Sequence, residues 1–256
     1  MKENLHISLV QSNVFWENKQ KNLSHLSKLL NTINKTDIIL LPEMFNTAFS
    51  PSAIHLAENM DGTTVRWMKN IAIKKKCVVA GSLMIKEGLN TYNRLIWISE
   101  EEVYTYDKTH LFSLAKENKT ITAGGSRLII QFNGWKICPL ICYDLRFPVF
   151  SRNNVDYDIL IFLANWPVKR IKDWKILLQA RAIENQCFVF GVNRVGEDLS
   201  KVYFNGQSVG YNSFGEKICS AKELEDVIQI QIEKRDLIKK RRQYNFLKDR
   251  DRFKLI

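Results

Sequence analysis

Four β-favouring apolar residues, Ile38-Ile39-Leu40-Leu41, run straight into Pro42, and they follow a stretch of helical period. Between residues 17 and 33, Leu23, Leu26, Leu29, Leu30 and Ile33 recur at the spacing of one helix face. A strand that is apolar at every position has to be covered on both faces. A chain patterned this way must therefore lay helices over a sheet. The alternation continues with strands expected at 7–14, 77–82, 93–98 and 103–107, and a second helix through Val65, Met68, Ile71 and Ala72. In the middle of the chain, Asn133-Gly134 is a hairpin turn between strands at 127–132 and 135–141. A buried strand at 159–164, a long helix at 171–185 and strands at 187–192 and 227–232 follow, with turns at Asn205-Gly206 and Phe214-Gly215. No stretch reads as a linker, so a single mixed α/β layered domain is expected over residues 1–256.

The net charge of +11 raises the question of a nucleic-acid partner. Between Lys234 and Lys254 there are ten Lys and Arg against three Asp, so most of the excess sits in a C-terminal extension from about residue 234. That extension carries no nucleic-acid module, zinc spacing or aromatic–glycine RNA signature. A basic helix or strap is expected, with no specific nucleic-acid binding. No apolar run approaches the roughly 20 residues of a membrane span, and no signal-peptide pattern opens the chain. Five cysteines at irregular spacing make no disulfide framework, which points to a reduced cytoplasmic compartment. No G-x-G-x-x-G, P-loop or metal-ligand pattern occurs among His6, His25, His55 and His110, so neither cofactor nor metal is expected.

Three segments each place a reactive side chain just after a buried strand. They are Leu40-Leu41-Pro42-Glu43-Met44-Phe45, Tyr106-Asp107-Lys108-Thr109-His110-Leu111-Phe112, and Leu140-Ile141-Cys142-Tyr143-Asp144-Leu145-Arg146-Phe147-Pro148. Strand ends in layered α/β folds deliver side chains to a shared cleft. A free thiol, with a pKa of about 8.5, is mostly protonated at neutral pH and needs a base to become a nucleophile. Glu43 can take that proton, and Lys108 can hold the oxyanion that develops after attack. The bland alternatives are a helix-capping Glu43, a surface Lys108 and a core Cys142. Spacing alone does not bring the three together. Cys77, Cys138, Cys187 and Cys219 read as core thiols.

The three segments resemble the Glu–Lys–Cys signature of the nitrilase superfamily of carbon–nitrogen hydrolases. Gly81-Ser82, Tyr92-Asn93, Ala123-Gly124, Ala164-Asn165-Trp166-Pro167 and Arg181-Ala182-Ile183-Glu184-Asn185-Gln186 extend the match from about Leu5 to Ile230. The runs 42–50 and 142–148 look most like the omega-amidase branch. The resemblance implies a four-layer α-β-β-α sandwich, dimerised through a helical layer. It also implies Glu43 as general base, Cys142 as nucleophile, and Lys108 with the Tyr143 backbone N–H as oxyanion donors. A second active-site glutamate follows the lysine in the family, and Glu117 is the best match.

Asn165 and Trp166 follow a buried strand and are expected to line the pocket. Arg146, four residues after the nucleophile, is expected to bind a substrate carboxylate, with a brace to Asp144 or another acid as the alternative. His110 is read as a structural histidine that bonds loop backbone rather than as a partner for Cys142. Asp144 is expected to tie down the turn, and Glu184 to pair with Arg181. The expected activity is hydrolysis of the terminal amide of small 2-oxo dicarboxylic acid monoamides, such as 2-oxoglutaramate and 2-oxosuccinamate, through a Cys thioester. Aliphatic amides, carbamoyl amides and nitriles use the same three residues and stay open, as does a non-catalytic basic interaction protein on the same scaffold.

Overall fold

The computed structural model of the protein describes residues 2–254. Met1, Leu255 and Ile256, at the two ends of the expected domain, lie outside them. The first half runs β1 (Asn4–Gln11), α1 (Lys19–Asn31), β2 (Ile38–Leu40), α2 (Thr63–Lys75), β3 (Val78–Glu87), β4 (Asn90–Ile98) and β5 (Val103–Asp107). The second runs β6 (Ile130–Phe132), β7 (Trp135–Ile141), α3 (Pro148–Ser151), β8 (Ile159–Ala164), α4 (Ile171–Asn185) and β9 (Phe188–Asn193). Four short strands follow: β10 (Val195–Glu197), β11 (Tyr203–Asn205), β12 (Val209–Tyr211) and β13 (Lys217–Ser220). The chain then returns through β14 (Asp226–Glu233) to α5 (Lys234–Gln243).

Two six-stranded sheets result, in the orders β14-β1-β2-β3-β4-β5 and β13-β12-β9-β8-β7-β6. Strands β1, β2 and β3 are mutually parallel, as are β7, β8 and β9. Strand alternation decides what each side chain meets. Ile38 and Leu40 point into the core between the sheets, beside Leu9, Trp97, Ile137 and Ile161. Ile39 and Leu41 point the other way, onto Leu26 and Leu30 of α1 and Met68 and Ala72 of α2. On the far side, Trp174, Leu178 and Ala182 of α4 cover the second sheet. Gly191 of β9 permits that approach, because a Cβ there would lie 2.4 Å from Leu178 Cδ1 and 2.6 Å from Trp174 Cζ2. The layers are α-β-β-α, as expected from the resemblance.

Helix α1 starts two residues later than its periodicity suggests. Glu17 adopts a left-handed backbone (φ 50°), and the Asn18 side chain accepts the Lys21 N–H as the cap. Strand β1 ends at Gln11 rather than at residue 14, and there the Gln11 side-chain amide donates to the Lys222 and Leu224 carbonyls.

The basic extension is a strap. Lys234 (3.0 Å) and Arg241 (3.1 Å) both pair with the buried Asp158. Arg241 also donates to the Tyr157 carbonyl at 2.6 Å, Leu237 and Leu247 are buried, and Arg250 pairs with Asp156 at 2.6 Å. Among the described residues no helix is long and apolar enough to cross a membrane.

Candidate active site

The carboxyl ends of β2 and β5 in one sheet meet those of β7 and β8 in the other. Glu43 follows β2 with no exposed surface, and no helix starts there for it to cap. Its Oε1 accepts from Lys108 Nζ at 2.8 Å and from Asn93 Nδ2 at 2.9 Å, while its Oε2 accepts the Asn165 N–H at 2.9 Å. Lys108, just past β5, also donates to Glu117 at 2.9 Å, and Glu117 accepts from Asn93 at 3.1 Å and from the Phe112 N–H at 2.6 Å. Glu117 is thus in the cluster although it lies in a short 3-10 turn that carries no periodic signal. Gly124 clamps the end of β5: its N–H donates to the Lys108 carbonyl at 2.9 Å, and a Cβ there would fall 2.0 Å from the Asp107 carbonyl oxygen.

Two carboxylates surround one ammonium, so the site is locally short of positive charge. Burial alone would lower Lys108, but Glu117 and Glu43 outweigh it and hold the ammonium above the ordinary lysine range. Burial, and after it the Glu43 carboxylate, push the Cys142 thiol well above the usual cysteine range, and Lys108 pulls back without overcoming them. The resting group is therefore a thiol next to a carboxylate rather than a preformed thiolate. Cys142 sits on the sharp junction between β7 and a 3-10 turn (Cys142–Arg146), at a φ of 43°. Its sulfur lies 3.9 Å from the Asn165 carbonyl. Met44, directly after Glu43, shares that left-handed φ of 43°, and Ser82 Oγ accepts its N–H at 2.9 Å. The N–H of Tyr143 falls in the first turn of the 3-10 segment, where helices leave donors without internal partners.

His110 faces away from this chemistry. Its backbone N–H and Nδ1 both reach Asp144 Oδ1, at 3.0 and 2.8 Å, and its ring stacks on Phe147 at 3.7 Å. The partner is a carboxylate rather than loop backbone. Asp144 also accepts from Tyr106 Oη at 2.8 Å and the Ile141 N–H at 3.0 Å, which ties the turn to both sheets. Arg181 pairs with Glu184 at 3.0 Å and donates to the Leu145 carbonyl at 2.7 Å, bracing the same turn from α4. Burial pushes other thiols up as well, Cys77 to about 11 and Cys138 to about 12, and Cys138 and Cys187 have no exposed surface.

A cavity of about 620 Å³ opens over Glu43, Lys108 and Cys142. Tyr143, Arg146, Asn165 and Trp166 line it. Asn165 holds Glu43 twice, through its N–H and through Nδ2 to the Glu43 carbonyl at 2.6 Å, and so serves the general-base candidate more directly than the open pocket. Arg146 donates to Asp173 of α4 at 2.7 Å, and its guanidinium lies 5.0 Å from the Trp166 ring centre. The acid that braces it is Asp173 and not Asp144. Two residues have no site role in the sequence reading. Asn93 donates to both glutamates; it enters there only through the Tyr92-Asn93 match, in a strand that also carries Asn90, Thr91 and Arg94. Arg170 lines the cavity from the start of α4, signalled only by a cation shortly after Asn165-Trp166-Pro167.

The comparisons with known proteins agree with one another. A family model described as carbon–nitrogen hydrolase matches residues 6–242. The chain is 41% identical over 218 residues to the omega-amidase YafV of Escherichia coli K12, covering 85% of each chain. It is 30% identical over 235 residues to the 2-oxoglutaramate amidase of Bacillus subtilis, covering 89% of this chain and 90% of that one. A crystal structure of a CN-hydrolase superfamily protein from Xanthomonas campestris, with an arsenic adduct in its active site, superposes with a TM-score of 0.97 at 38% identity over the whole of both chains.

Proposed function

Because the chain belongs to the carbon–nitrogen hydrolase family, we propose that Cys142, Glu43 and Lys108 hydrolyse an amide through a thioester. The enzyme is an amidase acting on carbon–nitrogen bonds other than peptide bonds. Its substrates are small 2-oxo dicarboxylic acid monoamides, 2-oxoglutaramate and 2-oxosuccinamate, which it converts to the dicarboxylate and ammonia. The observation that carries this reading is the buried Glu43–Lys108–Glu117 cluster beside a strand-end thiol at the floor of a small-molecule cavity.

Each step uses a group already placed. As the Cys142 sulfur bonds to the amide carbon, its proton passes to Glu43, and the carbonyl electrons move onto oxygen. Lys108 and the Tyr143 N–H hold that oxyanion. Collapse of the tetrahedral adduct breaks the carbon–nitrogen bond, and the departing nitrogen takes the proton from Glu43 and leaves as ammonia. Water then gives a proton to Glu43 and attacks the thioester. The second collapse releases the acid, and the sulfur recovers the proton. Glu117 is a positioning residue that keeps Lys108 charged and aimed. Arg146 and Trp166 form part of the wall that the far end of the substrate meets, and Asn165 holds Glu43 at the floor.

The enzyme works as a homodimer. Helix α4 exposes Ile176 and Ile183, seven residues apart and so on one stripe, with the exposed Phe214 next to the Gly215 that abuts Ile183. Sedimentation should show a dimer that Ile176→Lys with Ile183→Lys breaks; a monomeric wild type would remove this part of the reading. A reduced cytoplasm keeps the free Cys142 a thiol. The deciding assay is ammonia release from 2-oxoglutaramate and 2-oxosuccinamate against neutral amides, carbamoyl compounds and nitriles. A preference for any of the latter would overturn the substrate assignment.

A further inference from the structure

The cations around the cavity are not equivalent. Lys108 is held by Glu43 and Glu117, and Arg146 by Asp173. Lys116 and Lys119 stand exposed at the rim. Arg170 is half-buried in the wall, yet among the described residues its guanidinium has no carboxylate and no hydrogen-bond acceptor. The other acid lining the cavity, Asp198, accepts the N–H groups of Ser200 (2.8 Å) and Val202 (3.0 Å) in its own turn. What Arg170 does have is position. Its guanidinium lies 5.1 Å from the Phe112 ring centre, and the Phe112 N–H donates to Glu117 at 2.6 Å. The same Phe112 ring meets Tyr143 edge-on at 5.1 Å. One aromatic ring therefore separates the unpartnered fork from both the charged cluster and the residue after the nucleophile.

We infer that Arg170 is the specificity-determining residue for the substrate's far carboxylate, taking it bidentately while Arg146, held by Asp173, gives secondary support. The inference rests on the amidase reading above and assigns one part of it. Partial burial lowers Arg170 from the ordinary arginine range; a Cys142 thiolate would oppose that, Arg146 adds to it, and Asp173 and Tyr143 oppose it more weakly without contacting the guanidinium. A half-desolvated cation beside a second cation is stabilised by whatever anion arrives. The planar fork suits a carboxylate, and a neutral amide of the same length leaves the fork empty. The main chain at Arg170 is independently fixed, since its carbonyl accepts Trp166 Nε1 at 2.7 Å whatever the side chain. Substitutions there should leave the fold intact.

The test compares kcat/KM for glutaric acid monoamide and for pentanamide, which carries a methyl where the acid carries its carboxylate. Arg170→Met should reduce the acid-over-neutral ratio by about 10- to 100-fold, the range for losing charge-assisted hydrogen bonds. Arg170→Lys should recover part of that ratio, and Arg146→Met should reduce it less than Arg170→Met. Melting temperatures of all variants should stay near wild type. A wild-type ratio near one would overturn the acidic-monoamide substrate assignment on which this inference rests. A large wild-type ratio that survives Arg170→Met, or falls further in Arg146→Met, would overturn the Arg170 assignment alone.

Discussion

The floor of the cavity and its wall are built on opposite plans. At the floor, Glu43, Lys108 and Glu117 are fully buried, and Asn93 and Asn165 are bonded to the carboxylates from two further strands. Along the wall, Arg146 shares an exposed pair with Asp173, and Arg170 has no partner among the described residues. Charges removed from water must be paired with fixed geometry, or they cost several kcal/mol each. Charges left half-wet can wait for a ligand. On the proposed function, bond making belongs to the preassembled region, and selection among amides to the unfinished one.

If that division holds, floor substitutions should lower turnover of every amide alike, and wall substitutions should discriminate between amides. The largest effect belongs to Cys142→Ala, which should leave no measurable turnover of acid or neutral amide while the protein still folds. Retained activity would remove Cys142 as nucleophile. In the wild type, iodoacetamide should label Cys142 before the other four cysteines, and Glu43→Gln should remove that advantage, because a thiol held above its usual range needs the base. Glu43→Gln should also reduce kcat by about 10²-fold or more for every amide; a loss confined to acidic amides would mix floor with wall.

Arg146→Lys should act more narrowly. It keeps the charge but loses the fork, so KM for acidic monoamides should rise by roughly 3- to 10-fold, with little change for a neutral amide. An equal rise for both would make Arg146 a brace only. His110→Ala should lower kcat only a few-fold by loosening the Asp144 turn, whereas a loss matching that of Glu43→Gln would favour a Cys–His pair. Truncation after Asn245 removes Leu247 and Arg250 from the strap. It should lower the melting temperature by several degrees without moving the acid-over-neutral ratio. DNA binding by the intact chain should be weak and should fade steeply with salt.

The layers were legible because strand period is a local property. Ile38 to Leu41 alternate between two cores, as any fully covered strand must. The reactive strand ends were legible for the same reason. Their meeting was not, since Glu43 and Lys108 are 65 residues apart and Asn165 lies 122 residues from Glu43. Strand order within one sheet brings Glu43 to Lys108, and the packing of the second sheet on the first brings Asn165 to Glu43. Glu117 and Arg170 sit in turns, where no period marks which way a side chain points. Strands β10 to β13 were missed because three or four residues are too few to show alternation.

The left-handed backbone at Cys142 has an evolutionary consequence. An L-residue occupies that conformation at a cost of roughly 1–2 kcal/mol, and glycine does so almost freely. Selection for durability alone would therefore favour discarding Cys142, and on the proposed mechanism the thiol persists only while turnover is selected. Of two equally dead proteins, Cys142→Gly should then outlast Cys142→Ala by about 1 kcal/mol. A lineage released from its chemistry has a downhill path to a sturdier, silent fold, and its first step is a single residue at the end of β7.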